Sequence, residues 1–189
     1  AASDVYKRQL SYEEMLEMAS SGSKVMQARS VEFAKKFGVV FEVRNSMNNN
    51  PGTIVQEENS AMESIAVRGV SIERNQARVT VSGITAPVAY TSIILAALAE
   101  AEVNIDMIVA NTANDGVARQ SFTMNMSDLG AAQAALKPVL SQLGDKAKLE
   151  TEAGLAKLSV VGVGMRSHSG VAATVFQSLA DAGIQTGMI

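Results

Sequence analysis

The chain of 189 residues contains no cysteine and a single histidine. Disulfides and thiolate chemistry are therefore excluded, no histidine cluster can hold zinc, and no metal site is expected. Tryptophan is absent, and aromatic residues make up only 4% of the chain. With few stacking groups, no block of Lys and Arg, and a formal net charge of −3, the chain offers little to a nucleic acid. No apolar run approaches the roughly eighteen residues of a membrane span, and the first residues lack the basic-then-apolar pattern of a signal peptide. The expectation is a soluble, cytoplasmic globular protein whose partners are small molecules or other protein chains. Apolar residues, at 47%, suffice for a core in one large or two small units.

What the chain does contain is one pattern carried twice. A strand-like Val79-Thr80-Val81-Ser82-Gly83, a helix-like run over 94–101 and a strand-like run over 103–108 recur about 81 positions later. Gly83 and Gly164, Leu98 and Leu179, and Met107 and Met188 all keep that offset. A repeat of this length is the size of a small domain and points to duplication of a βαβ-containing module.

Residues 1–9 show no periodicity, and Asp4-Val5-Tyr6-Lys7-Arg8-Gln9 resembles a translated sequencing adapter, so they are set aside as a non-native or disordered tail. Ser11 with Glu14 forms a capping box that predicts a helix over 12–19, closed by Ser20-Ser21-Gly22-Ser23. A second helix is predicted over 24–37, with Val25, Ala28, Val31, Ala34 and Phe37 on one apolar stripe. A β-rich run at 39–43, a loop at 45–52, a short strand at 53–55 and a polar linker at 56–60 follow. Beyond the linker, a weak strand at 65–70 is expected to turn at Arg74-Asn75 into a strand at 77–81. Helix 89–102, strand 103–110, a turn at Asn114-Asp115-Gly116, strand 117–126, helix 128–143 and strand 147–151 complete the order βαββαβ. That order describes a ferredoxin-like sandwich, and a second copy begins at Leu155 and runs to a strand near the end.

Few residues carry chemistry on their own. Gly162, Gly164 and Gly170 have the wrong spacing for a dinucleotide loop, but a loop leading into a helix N-terminus suits an anion, so residues 165–171 are a candidate small-ligand site. His168 lies there with no nucleophile or acid at a recognisable spacing, which favours a hydrogen-bonding role over a catalytic one. Asp106 sits in an apolar strand and needs a partner: a ligand ammonium, an arginine, or a backbone N–H. Lys24 opposes the dipole of the helix it begins, consistent with either a bound anion or a solvated lysine. Met15, Met18, Met107, Met124 and Met126 read as core filling.

Three motifs in series resemble one family. Residues 10–19, with Gly22-Ser23-Lys24-Val25-Met26 and Arg29-Ser30-Val31-Glu32, are similar to the end of the catalytic domain of bacterial aspartate kinase. The strand Asn104-Ile105-Asp106-Met107-Ile108 and the loop from Gly162 to Ala172 resemble the ACT modules of that family. The resemblance implies an α+β chain: the α/β remnant of a kinase domain at 10–58, then ferredoxin-like ACT modules at 71–152 and at 63–70 with 155–189, the latter truncated. It implies phosphorylation of the aspartate side-chain carboxylate by ATP on the route to lysine, threonine and methionine. ATP and its Mg would be bound mainly by a missing half, with Lys24 near the phosphates and no catalytic residue in this chain. Lysine and/or threonine would bind as effector at Thr85, Ala89, Asn104, Ile105 and Asp106. The helix N-terminus would take the effector's carboxylate, and Asp106 its ammonium group. The second-module loop would contribute Met165, Arg166, Ser167, His168 and Gly170, and ACT modules would join copies into a homo-oligomer. The alternative is a stand-alone ACT regulatory protein that binds amino acids and has no kinase. Departures from the family pattern stand at Ala86-Pro87-Val88-Ala89, where Asp-x-Pro-Gly is usual, and at Arg119, Ser169 and Gln185-Thr186-Gly187. Feedback is expected to be altered or absent.

Overall fold

The computed structural model describes residues 9–23, 25–59, 62, 65–85, 89–113 and 115–189. Residues 1–8 of the tail expected at 1–9, Lys24, Ser60-Ala61, Glu63-Ser64, Ala86-Pro87-Val88 and Asn114 lie outside the described residues, while Gln9 belongs to a strand paired with Ile54 and so corrects the tail's last residue. The chain divides into two compact units, Ala1–Ile72 with Leu158–Ile189, and Glu73–Lys157.

In the first unit, strand β1 (Gln9–Ser11) runs directly into helix α1 (Tyr12–Ser20). The expected capping box forms: the Glu14 N–H donates to Ser11 Oγ at 3.1 Å, and the Ser11 N–H donates to Glu14 Oε2 at 3.0 Å. Helix α2 (Ala28–Phe37) follows, then β2 (Phe41–Val43) and β3 (Thr53–Gln56). The sheet order is β1-β3-β2, with β1 parallel and β2 antiparallel to β3. Leu10, Tyr12, Met15, Val31 and Val55 form the core, with Met18, Ala34 and Phe41 against it.

Two expectations fail here. Helix α2 starts at Ala28, after turns at 21–22 and 25, a bend at 26 and an extended Gln27. The predicted stripe is also not buried as a whole, since Val31 is fully buried while Val25 and Phe37 are each 66% exposed. Steps of three residues fall about 60° short of a full helical turn, so a stripe built from them drifts off the core face within a few steps.

In the second unit, α3 (Tyr90–Glu100), β5 (Ile105–Thr112), β6 (Ala118–Asn125), α4 (Leu129–Leu136) and the short α5 (Leu140–Leu143) lie between two long strands. These are β4 (Gly69–Ile84) and β7 (Lys148–Val161), each belonging partly to both units. The sheet order β5-β6-β4-β7 is that of a ferredoxin-like sandwich, so the chain is α+β as expected. Both β4 and β5 run antiparallel to β6. Ala77, Val79 and Val81 of β4 pack with Phe122 and Met124 of β6, Ile94 and Leu98 of α3, and Ala132 and Leu136 of α4.

The turn expected at Arg74-Asn75 is absent: β4 is continuous for 16 residues, and Asn75 takes a left-handed φ of 61° without reversing the chain. Nor does the last strand of the first repeat end at 151, because β7 continues to Val161. Pairing of β4 with β6 begins at Gln76, directly after Asn75, and β7 lies beside β4 in the sheet, a context that outweighs local turn preference. The helix predicted over 128–143 is interrupted by a 3₁₀ turn at Lys137–Val139. Pro138 lacks the N–H that a continuous α-helix would use there. Among the methionines, Met15 and Met124 are buried, but Met126 is 41% exposed and does not fill the core. After β7 come a 3₁₀ turn (Val163–Arg166) and α6 (Val171–Asp181). Residues 184–189 form no strand, contrary to expectation, and Ile184 and Ile189 are exposed.

Candidate functional site

At the C-terminal end of α1 and the start of α2, an open cavity of about 520 Å³ is lined by Ala19, Gly22, Ser23, Met26, Gln27, Ala28 and Arg29. No side chain caps the first N–H groups of α2. Those groups and the Arg29 cation favour an anion at this end of the helix. Lys24 itself lies outside the described residues, but Ser23 before it is part of the wall.

The second candidate set divides into two groups. Thr85 follows the last residue of β4 and donates its N–H to the Leu143 carbonyl at 2.9 Å. Ala89 is the N-cap of α3, with φ 66°, and its carbonyl accepts from the Ile93 N–H at 3.2 Å and from Ser92 Oγ at 2.7 Å. Ala89 occupies the place where the family pattern has glycine, and its left-handed backbone is the physical reason a glycine suits that place. Asn104, Ile105 and Asp106 begin β5, with Ile105 against the core and Asp106 exposed.

The sheet register keeps the groups apart. Ile84, Ala118 and Thr112 make one cross-strand row, and Ala77, Met124 and Ile105 make another. Seven residues of β4 separate those rows, a distance of about 23 Å. A single site between the 85–89 loop and the 104–106 strand, within one module, is therefore corrected: no free amino acid reaches across.

Asp106 has a partner inside the chain. Lys157 Nζ lies 2.6 Å from Asp106 Oδ2 and 2.9 Å from Glu73 Oε2. Burial works to lower the Lys157 pKa, but the hydrogen bonds it donates to Asp106 and then Glu73, with their charges, outweigh it and leave the ammonium above its ordinary value. The side-chain cation beside Asp106 is a lysine and not an arginine. Elsewhere on this sheet Arg78 pairs with Glu152, and Arg119 with Glu150 at 3.4 Å.

The third set is the loop before α6. His168 Nδ1 donates to the Gly164 carbonyl at 2.8 Å, and Ser167 Oγ donates to the same carbonyl at 3.2 Å. That bond selects the tautomer with the proton on Nδ1, so His168 braces the turn. Met165 is half-buried and Arg166 exposed, while Gly170, with φ 88°, starts α6 and accepts the Thr174 N–H at 3.0 Å. Thus Met165, Arg166, Ser167, His168 and Gly170 do share one loop.

Two further residues escaped the reading of the chain. Glu14 was visible as a cap, but its Oε1 also accepts the Val163 N–H at 3.0 Å. Gln120 on β6 is fully buried, and neither atom of its amide has a partner among the described residues. Polar character at 120 amid the alternation of β6 was the available signal. Also among the described residues, no three His, Cys, Asp or Glu side chains gather as a metal site, and no helix is long and apolar enough to cross a membrane.

Residues 158–189 match the ACT domain family. Together with the β4–β7 sandwich, this makes the chain an ACT-domain protein. Over 185 residues it is 42% identical to the aspartokinase of Helicobacter pylori, covering 96% of this chain and 45% of that one. The regulatory subunit of aspartate kinase from Thermus thermophilus is 31% identical, with a TM-score of 0.60, covering 66% of this chain and 82% of that one. A Clostridium acetobutylicum aspartate kinase, 20% identical, shares the fold with a TM-score of 0.81 over 96% of this chain and 41% of that one. The chain belongs to the aspartokinase family, and it spans about 45% of the length of the curated relatives it matches.

Proposed function

We propose that the protein of which this chain is part is an aspartate kinase, transferring the γ-phosphoryl group of ATP, as its Mg complex, to the side-chain carboxylate of aspartate. In this reading 10–58 ends the kinase domain, 71–152 is one ACT module, and 63–70 with 155–189 belongs to a second, in a cytoplasmic homo-oligomer. The observation that carries it is the 42% identity to an aspartokinase across 96% of the chain. Residues 9–56 add weight against a stand-alone sensor, because they build a separate three-stranded sheet with two helices. The cavity beside Ser23 is the proposed phosphate-facing wall, with Lys24 supplying a point charge that offsets the moving phosphoryl group.

The sensing role is assigned to lysine and/or threonine. The N-terminus of α3, with Thr85 and Ala89, takes the effector carboxylate, and Asn104, Ile105 and Asp106 take its other end. Because about 23 Å separates these groups within one module, two modules side by side have to supply them. The test is ATP- and aspartate-dependent ADP release, measured on the parental protein and on residues 10–189 alone, with and without lysine and threonine. Turnover only by the parent is expected. Turnover by residues 10–189 would overturn the assignment of catalysis outside them, and a parent inert toward aspartate would overturn the function.

A further inference from the structure

Gln120 carries a donor and an acceptor in a place that satisfies neither. It is fully buried, and among the described residues both Oε1 and Nε2 lack a partner. Residues directly opposite one another in a sheet share a face. Gln120 stands opposite Val81, and Phe122, two residues on, stands opposite Val79. Val79, Val81 and Phe122 belong to the core shared with α3 and α4, so the Gln120 side chain lies on the face that the helices cover.

That face is covered unevenly. On β5, Ile108 opposes Phe122, Ala110 opposes Gln120, and Thr112 opposes Ala118. Ile108 is 49% exposed, and Ala110 and Thr112 are exposed as well. Solvent therefore reaches this face one strand away from Gln120, a spacing of about 5 Å, and Ala110 leaves room there because its side chain is only a methyl group. The row of Ile84 and Ala118 lies two residues beyond Gln120 on β6, about 7 Å, and is the last before β4 leaves through residues 85–89 into α3. Helix α3 starts from this end, with Tyr90 and Ile93 against the core, and its first N–H groups, on Tyr90, Thr91 and Ser92, have no side-chain cap. An uncapped helix start and an unpartnered buried amide thus meet at one end of the sheet, beside an uncovered stretch of β5.

The two call for different groups on one small molecule. The α3 N–H groups suit a carboxylate. The amide suits a neutral group that donates or accepts, and a hydroxyl does either, donating to Oε1 or accepting from Nε2. A side-chain ammonium can only donate, and its charge would lose its water among apolar side chains such as Val81 and Phe122. We propose, on the reading that the start of α3 holds the effector carboxylate, that Gln120 sets the specificity of that place: its amide takes the side-chain hydroxyl of a small hydroxy amino acid such as threonine and turns away the ammonium of lysine. The amide, unsatisfied in the free chain, gains its hydrogen bond on binding.

The test is calorimetric titration of the parental protein, Gln120→Met and Ala110→Leu with L-threonine, L-valine and L-lysine. Valine has the shape of threonine with a methyl group in place of the hydroxyl. The parental protein is expected to bind threonine about tenfold more tightly than valine, and Gln120→Met to abolish that preference by weakening threonine. Ala110→Leu, at an exposed position, covers the approach to Gln120 and is expected to weaken threonine binding at an unchanged urea midpoint. A preference for threonine over valine that survives in Gln120→Met overturns the proposal and leaves the effector reading standing, as does lysine displacing threonine from the parental protein with equal affinity. Should Gln120→Met fail to fold, Ala110→Leu decides, and full threonine affinity there overturns the proposal. If none of the three amino acids binds the parental protein, the effector reading itself falls, and the role of Gln120 with it.

Discussion

Gln120 is the residue whose environment conflicts most with its chemistry. It sits opposite Val81 and Ala110 in the sheet, fully buried, with an amide that has no partner among the described residues. A buried amide without a hydrogen bond costs about 1–3 kcal/mol, and methionine has nearly the same shape without that requirement. Gln120→Met is therefore predicted to stabilise the chain by about 1 kcal/mol, seen as a higher urea midpoint at unchanged slope. An unchanged midpoint would mean that the amide takes a water or a ligand in solution. Lys157 presents the opposite case, a cation held by two carboxylates. Its folded-state pKa lies above the ordinary 10.5. The stabilisation is thus complete below that pH and is lost as pH rises through the higher folded value. Lys157→Gln is predicted to lower the urea midpoint near neutrality and to narrow its gap to the parent chain above pH 10.5. A gap that does not change with pH would remove the charge from the explanation.

At the scale of elements, the start of α3 shows how one backbone angle constrains a sequence. Ala89 holds φ 66°, a region that costs a residue with a Cβ about 1–2 kcal/mol. Glycine would relieve that strain while adding about 0.5–1 kcal/mol of chain entropy to be lost on folding. Ala89→Gly is accordingly predicted to stabilise the chain by about 0.5 kcal/mol, measured by thermal or urea unfolding. A loss of stability would show that the α3 cap is not strained.

For the whole molecule, register decides what one copy can do. The end carrying Thr85 and Ala89 and the end carrying Asn104 to Asp106 are about 23 Å apart on the same sheet. In the proposed function, effector binding at both ends is then linked to association, and by mass action each strengthens the other. In the parental protein, lysine or threonine affinity is predicted to rise with protein concentration, in parallel with the dimer fraction seen by sedimentation. Binding that is tight and independent of association would place the effector at one end only.

Much of this architecture was determined by the sequence alone, and it is the part governed by neighbours along the chain. The Ser11–Glu14 cap closes over three residues, the β and α periods of the sandwich repeat within each element, and His168 finds its acceptor four residues away at Gly164. Such contacts depend on spacing, which the sequence states directly. Only the tertiary structure decided the rest. Whether Arg74-Asn75 turns or runs straight depends on the strands beside it, and whether Phe37 is buried depends on where the α2 stripe meets the core. The Glu14–Val163 bond and the Lys157–Asp106 pair join residues 149 and 51 positions apart. The same sheet register that forms such distant pairs holds Thr85 and Asp106 at opposite ends, although both lie in motifs of one module. No local pattern encodes that register, because it emerges from the joint packing of all four strands with their helices.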